Sequence, residues 1–265
     1  MFTEAFMLRA LIAAIVLAPL CSFLGVFVTA RRMAFFSDTI SHGALAGVAL
    51  GFWWGMANPT LPMILFSVLI AGGILWLKEN TELLTDTIMA LVLSGSVAFG
   101  IVVLSLLRGY RGEIQSYLFG DILAIGNEDV ALACVLSLTI GAWLFYQLSP
   151  LTLLTTEEEI AHVCGLPVRR LNYVFVLVLT LTVAMTIRLL GIILVTSLLV
   201  IPAAAGRNLS RNLRQQLLAS GVIGLAGGIG GTLASAWWDI PTGPSIVLSC
   251  LILFGASLAG RKLWR

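Results

Sequence analysis

The run Arg31–Gly51, RRMAFFSDTISHGALAGVALG, opens on two arginines and then carries one acid, Asp38, and one imidazole, His42, among apolar and small residues. Four positions apart, the two polar side chains share one face of a helix, about one turn from each other. What such a pair means depends on its solvent, and the composition decides that. Of 265 residues, 59% are hydrophobic and 11% charged, against about 25% charged in a soluble domain. Mean hydropathy is +1.04. Most of the chain faces something other than water, so the run is read as a membrane helix with two ionisable groups inside it.

Working outward, long apolar runs recur along the whole chain, which is read as one membrane domain over residues 1–265. The runs are long enough for helices, and the short alternating strands of a membrane barrel are absent. The expected spans are Met7–Val28, Met33–Trp54, Leu61–Leu77, Asp86–Leu107, Val130–Leu148, Leu171–Leu190, Gly191–Arg207, Gln216–Trp238 and Ser245–Gly260. The fold class is therefore all-α and polytopic, with about nine transmembrane helices. The first run carries mixed early charges, Glu4 and Arg9, and no small-residue cleavage site, so it is read as a transmembrane helix rather than a signal peptide. The sixth and seventh spans are broken only near Gly191.

With the N-terminus outside, Arg31, Arg32, Lys78, Arg169, Arg170, Arg207, Arg211, Arg214, Arg261, Lys262 and Arg265 fall on the cytoplasmic side. Arg9, Arg108, Arg111 and Arg188 fall on or near the outer side, a split of 11 to 4 among the 15 basic residues. That asymmetry sets the expected orientation, with the C-terminus inside. A net charge of +2 without a basic run excludes nucleic acid as a partner. Four widely spaced cysteines with no C-x-x-C exclude a disulfide framework and a thiolate zinc site, and are read as small buried residues.

Two stretches fall outside simple spans. Glu113–Asn127, EIQSYLFGDILAIGN, is apolar but too short to cross, and is expected as a short outer-side helix. Its Asp121 either lines a pore or faces water. Ser149–Arg170 is the longest polar segment. Thr155 or Thr156 is expected to cap a short helix there, which Gly165-Leu166-Pro167 ends. That helix is either a docking element or part of a solvated loop.

Near the middle of the bilayer, a carboxylate and a neutral imidazole form a partial site for Zn²⁺, Mn²⁺ or Fe²⁺, which weakens as pH falls. Two ligands are too few for a structural zinc site, whereas a transported ion must also leave. The alternatives are a proton relay and a pair that holds neighbouring helices together by hydrogen bonds. Small residues around the pair (Ser37, Ser41, Gly43, Ala44, Ala46, Gly47, Gly51) predict close helix packing, as does the glycine-rich Gly221–Gly231. Neither lysine, Lys78 or Lys262, sits in a phosphate-binding loop, so ATP is not bound by this chain through such a motif. No nucleophile–base set is visible.

Arg31-Arg32-Met33, Ser37-Asp38-Thr39 with His42 and Leu45-Ala46-Gly47, Tyr117-Leu118-Phe119-Gly120-Asp121, Thr196–Ala204 and Pro241–Ser245 occur in this order along nearly the whole chain. In this pattern the chain resembles the membrane permease subunit of bacterial zinc/manganese ABC importers, the zinc-uptake members most of all. The resemblance implies a type II importer permease in the inner membrane. It also implies a homodimer, separate cytoplasmic ATPase subunits, an extracytoplasmic metal-binding protein and no permanent cofactor. It implies Asp38 and His42 as the acid–histidine pair of the pathway helix, with Zn²⁺, or Mn²⁺, as substrate. Glu159, Ala161 and Gly165 match the family's coupling helix, and His162 falls at the ATPase contact. The ion would enter near Glu113–Asn127 and Asp239. Thr39 resembles zinc members, where manganese and iron members tend to carry Ala. Gly43 departs from the Ala or Ser of the family pattern.

Overall fold

A computed structural model describes residues 5–56, 58–106, 126–238 and 240–263. Among them the chain is all-α, in eleven helices: α1 (Ala5–Ala30), α2 (Ala34–Trp53), α3 (Thr60–Asn80), α4 (Thr85–Leu106), α5 (Asn127–Tyr146), α6 (Leu148–Thr156), α7 (Glu158–Val163), α8 (Val168–Leu190), α9 (Ile192–Leu209), α10 (Leu213–Trp238) and α11 (Thr242–Leu263). Each expected span corresponds to one of the nine long helices. Several begin about one turn earlier than the apolar run does, on polar residues such as Asn127, Glu128 and Asp129, or Arg169 and Arg170. A helix N-terminus leaves its first N–H groups without backbone partners, so its first turn sits where water or polar side chains reach it, and hydropathy trims that turn off. Eight of the helices are long and apolar enough to cross a membrane. The remaining long one is α2, of spanning length but interrupted by Asp38 and His42.

The long helices form two groups. α2 lies against α3, α4 and α8, whereas α1 lies against α9, α10 and α5, with α11 packed on α9 and α10. Although consecutive, α1 and α2 share little contact, so the chain passes from one group to the other at the Arg31–Met33 turn. That turn is tightly defined. Arg32 N–H donates to Thr29 and Met33 N–H to Val28, and Arg32 takes a left-handed φ of 57°. This is the double closure that usually ends on glycine.

Small residues set the spacing on α2, as the sequence predicts. A Cβ on Gly47 would stand 2.8 Å from Met63 Cα on α3, and Gly100 on α4 sits directly over Ala46. The glycine-rich part of α10 lies against Ala18 and Ser22 of α1 and against Ile246 and Cys250 of α11. At the break between α8 and α9, Gly191 has φ 82° and ψ 164°, a conformation available only to glycine. α8 and α9 are therefore joined through this single residue, without a loop.

A cavity of about 1070 Å³ is lined by the α1–α2 turn, the end of α3, Thr85 at the start of α4, the α6–α7 corner and the first turns of α8. These parts therefore share one end of the molecule, which carries Arg31, Arg32, Lys78 and Arg169. Trp53 and Trp54 end α2, and Trp237 and Trp238 end α10. All four are exposed, as is Trp76 near the end of α3, and such positions suit the two headgroup layers of a bilayer.

Two expectations need correction. Ser149–Arg170 holds two helices, because α6 continues almost directly from α5 before α7 begins. Neither threonine caps α7. Thr155 and Thr156 donate back to Leu151 and Thr152 within α6, and Glu157 is the residue at the cap position. Of the cysteines, Cys21 and Cys250 are buried and Cys134 is half-buried, whereas Cys164 is exposed after α7.

Candidate metal path and coupling corner

α2 is buried along most of its length, on Phe36, Ser37, Thr39, Ile40 and Ser41 and again on Gly43, Ala44, Ala46–Ala49, Gly51 and Phe52. Apart from Ala34, Leu50 and Trp53 towards its ends, the residues of α2 that its own chain leaves open are Phe35, Asp38, His42 and Leu45, at spacings of three, four and three. They form one stripe along the helix. Asp38 and His42 are each 35% exposed, so the pair opens outward from the chain and is not sealed in its core. His42 lies about 12 Å along a helix about 30 Å long, at 1.5 Å rise per residue.

The His42 Nε2 to Asp38 Oδ1 distance is 3.7 Å, too long for a hydrogen bond. Two atoms that each ligate one ion at about 2.1 Å stand about 3.4 Å apart at a tetrahedral angle. The pair is thus spaced to share an ion with modest side-chain adjustment. Among the described residues neither side chain hydrogen-bonds another helix, and no group of three or more His, Cys, Asp or Glu could complete a metal site. The neighbouring Thr39, by contrast, is turned inward, donating to Phe35 and reaching Met89 on α4. Asp121 and Asp239 lie outside the described residues.

At the Arg31 end, α7 is a helix of one and a half turns held by its own termination. Gly165, at φ 76°, donates to His162, while Leu166 donates to Ala161. That pairing closes the helix on a left-handed glycine. The three residues matched to a coupling helix then divide their roles. Ala161 is buried against Leu154, Val168 and Leu171 and anchors α7 to its own chain. Gly165 makes the turn into α8, and Glu159 points to open space beside the exposed Ile160 and Val163, the latter 88% exposed.

Sequence reading missed two polar ties between the groups of helices. Arg31 donates through Nε to Thr155 Oγ1 and through Nη1 to Asn172 Oδ1, each at 3.0 Å, and its guanidinium lies 4.3 Å over the Phe175 ring. Burial pushes this guanidinium down to about 10, against the pull of the Glu158 carboxylate, so it stays charged at neutral pH. At the far end of α8, Arg188 pairs with Asp129 of α5 at 2.9 Å, and the second oxygen of Asp129 accepts the Gly126 N–H. The residues of each tie are far apart in the chain, so no local spacing marks them.

The profile of the ABC 3 transport family matches residues 3–261. The high-affinity zinc uptake system membrane protein ZnuB of Haemophilus influenzae is 34% identical over 253 residues, covering 96% of this chain and 97% of that protein. The manganese transport system membrane protein MntC of Halalkalibacterium halodurans is 30% identical, over 96% of this chain and 87% of that one. A solved structure described as PsaBC from Streptococcus pneumoniae in complex with Fab superposes with a TM-score of 0.84 at 28% identity, over 96% of this chain and 91% of that chain. With an all-α array of membrane-length helices and a family match over nearly its whole length, this chain is a multi-pass membrane protein of the ABC 3 transport family.

Proposed function

We propose that this chain is the single-domain permease subunit of an ATP-driven importer that moves a divalent metal, Zn²⁺ first, into the cytoplasm. The observation that carries the reading is the Asp38–His42 pair. The two groups are spaced for one ion, free of hydrogen bonds to other helices among the described residues, and aligned on the one open stripe of a membrane helix. A charged carboxylate facing lipid there costs about 2.5–3.5 kcal/mol or more, so the stripe is covered by something polar. A second copy meeting it along α2 supplies that cover and encloses a path between the two subunits.

Zn²⁺ is favoured because imidazole with carboxylate suits it, because Thr39 follows the acid, and because ZnuB is 34% identical. The alternative is Mn²⁺ or Fe²⁺ in the same machine, which the 30% identity to MntC supports. A proton-coupled carrier using the same pair is the more distant alternative. The metal is substrate, with no resident cofactor. The basic end takes the cytoplasmic side of the inner membrane, with the N-terminus outside and the C-terminus inside. There α7 docks on the separate ATPase through Glu159 and its exposed apolar neighbours, and an extracytoplasmic binding protein delivers the ion at the opposite face.

The test is zinc uptake into proteoliposomes holding the permease and its ATPase, with loaded binding protein outside and ATP within. ATP-dependent uptake in wild type that His42→Ala and Asp38→Asn each reduce tenfold or more supports the reading. Uptake that runs without ATP on a proton gradient contradicts it.

A further inference from the structure

We propose that Arg31 is the positioning residue that transmits movement of the α6–α7 corner to α2 and so to Asp38 and His42. This rests on the transport reading above. Arg31 stands where the chain crosses from the α1 group to the α2 group of helices, and three features make it a link rather than a surface charge.

The first is reach. One side chain ties the last turn of α6 (Thr155) to the first turns of α8 (Asn172 and Phe175), while its backbone caps α1 three residues before α2 begins. The second is stiffness. The Thr29–Arg32 and Val28–Met33 hydrogen bonds, with Arg32 in the left-handed region, allow the turn little play. Phe175 also packs edge-on to Phe27 of α1, which fixes the shelf beneath the guanidinium. Displacement at Thr155 therefore moves the start of α2 as a body, and Asp38 lies only about one turn further on.

The third is an unmade contact. Arg31 Nη2 is out of reach of water and has no hydrogen-bond partner among the described residues. A buried donor left unpaired is costly, and a second arrangement of the corner that pairs it would recover that cost. The adjoining cavity of about 1070 Å³, also lined by Glu158 and His162 of α7, gives that corner room to move. Glu158 is the acid of α7 that lines this cavity with Arg31 and is the group proposed to meet Nη2. Lysine cannot replace this fork, since it offers no planar pair of donors and stacks poorly on a ring.

The test measures ATP hydrolysis and zinc uptake in the same proteoliposomes, made from the complete complex of permease, ATPase and binding protein. Wild type is compared with Arg31→Gln, Arg31→Lys and Thr155→Val. Arg31→Gln is expected to keep ATP hydrolysis within about twofold and to lose tenfold or more in zinc moved per ATP, with Arg31→Lys recovering part of the ratio. Thr155→Val keeps the shape of α6 but removes the acceptor of Arg31 Nε, and is expected to lower the ratio in the same sense. An unchanged ratio in Arg31→Gln overturns the inference. So does a parallel fall of hydrolysis, uptake and thermal midpoint, which marks a purely structural residue. Should Arg31→Gln fail to assemble, Thr155→Val decides alone by the same ratio. If wild type itself shows no ATP-driven zinc uptake, the transport reading fails and this inference falls with it, an outcome distinct from normal wild-type uptake with unaltered variants.

Discussion

Asp38 and His42 stand 3.7 Å apart, one turn from each other, on the stripe of α2 that the rest of the chain leaves uncovered. On the proposed metal path through this pair, ligand type is the main lever on ion choice. Replacing the imidazole by a carboxylate, His42→Asp, turns a mixed N/O pair into an oxygen-only pair, which suits Mn²⁺ better relative to Zn²⁺. The ratio of zinc to manganese uptake in proteoliposomes is expected to fall about tenfold. An unchanged ratio with uptake intact places ion choice elsewhere.

The Arg188–Asp129 pair is mostly shielded and ties α8 to α5 at the end opposite Arg31. Removing one partner of a shielded pair leaves the other uncompensated, so Arg188→Ala is expected to cost about 1–3 kcal/mol. Arg188→Ala with Asp129→Ala is expected to cost less than the sum of the singles. Thermal unfolding in detergent reads both. Additive losses mean the contact carries no coupling.

Gly191 joins α8 to α9 at φ 82° and ψ 164°. Alanine there is strained, at about 1–3 kcal/mol. Gly141→Ala, in the middle of α5 with open space at its Cβ, is expected to be neutral or to stabilise by up to about 1 kcal/mol. Equal midpoints for the two variants contradict the account of the turn.

Glu159 and Val163 project from α7 while Ala161 holds it down. Glu159→Lys with Val163→Asp is therefore expected to reduce co-purification of the ATPase tenfold or more and to leave the thermal midpoint of the permease within a few degrees. Retained ATPase means that α7 is not the docking element.

The nine long helices were legible because apolar runs of spanning length leave few other structures open to the backbone in lipid. The pair on α2 was legible because two ionisable groups four apart in such a run stand out against it. α6 was not, because LSPLTLLTT carries a proline and three threonines that read as loop, while tertiary contact with α1 and α5 keeps it helical. Arg31 was read as a charge at a membrane boundary and as part of the family pattern, not as a tie between helices. Its partners Thr155 and Asn172 lie on other helices, and packing rather than any spacing brings them to it. The Arg188–Asp129 tie was missed for the same reason.

The central claim is that the path for the metal runs past Asp38 and His42. Its most direct test is the total zinc, manganese and iron content of chelator-treated cells that carry wild-type protein, His42→Ala protein at matched membrane levels, or no copy. The account predicts that zinc falls to the no-copy level with His42→Ala while manganese and iron hold. Zinc equal to wild type with His42→Ala, alongside a loss when the copy is removed, contradicts it and makes the pair a structural one.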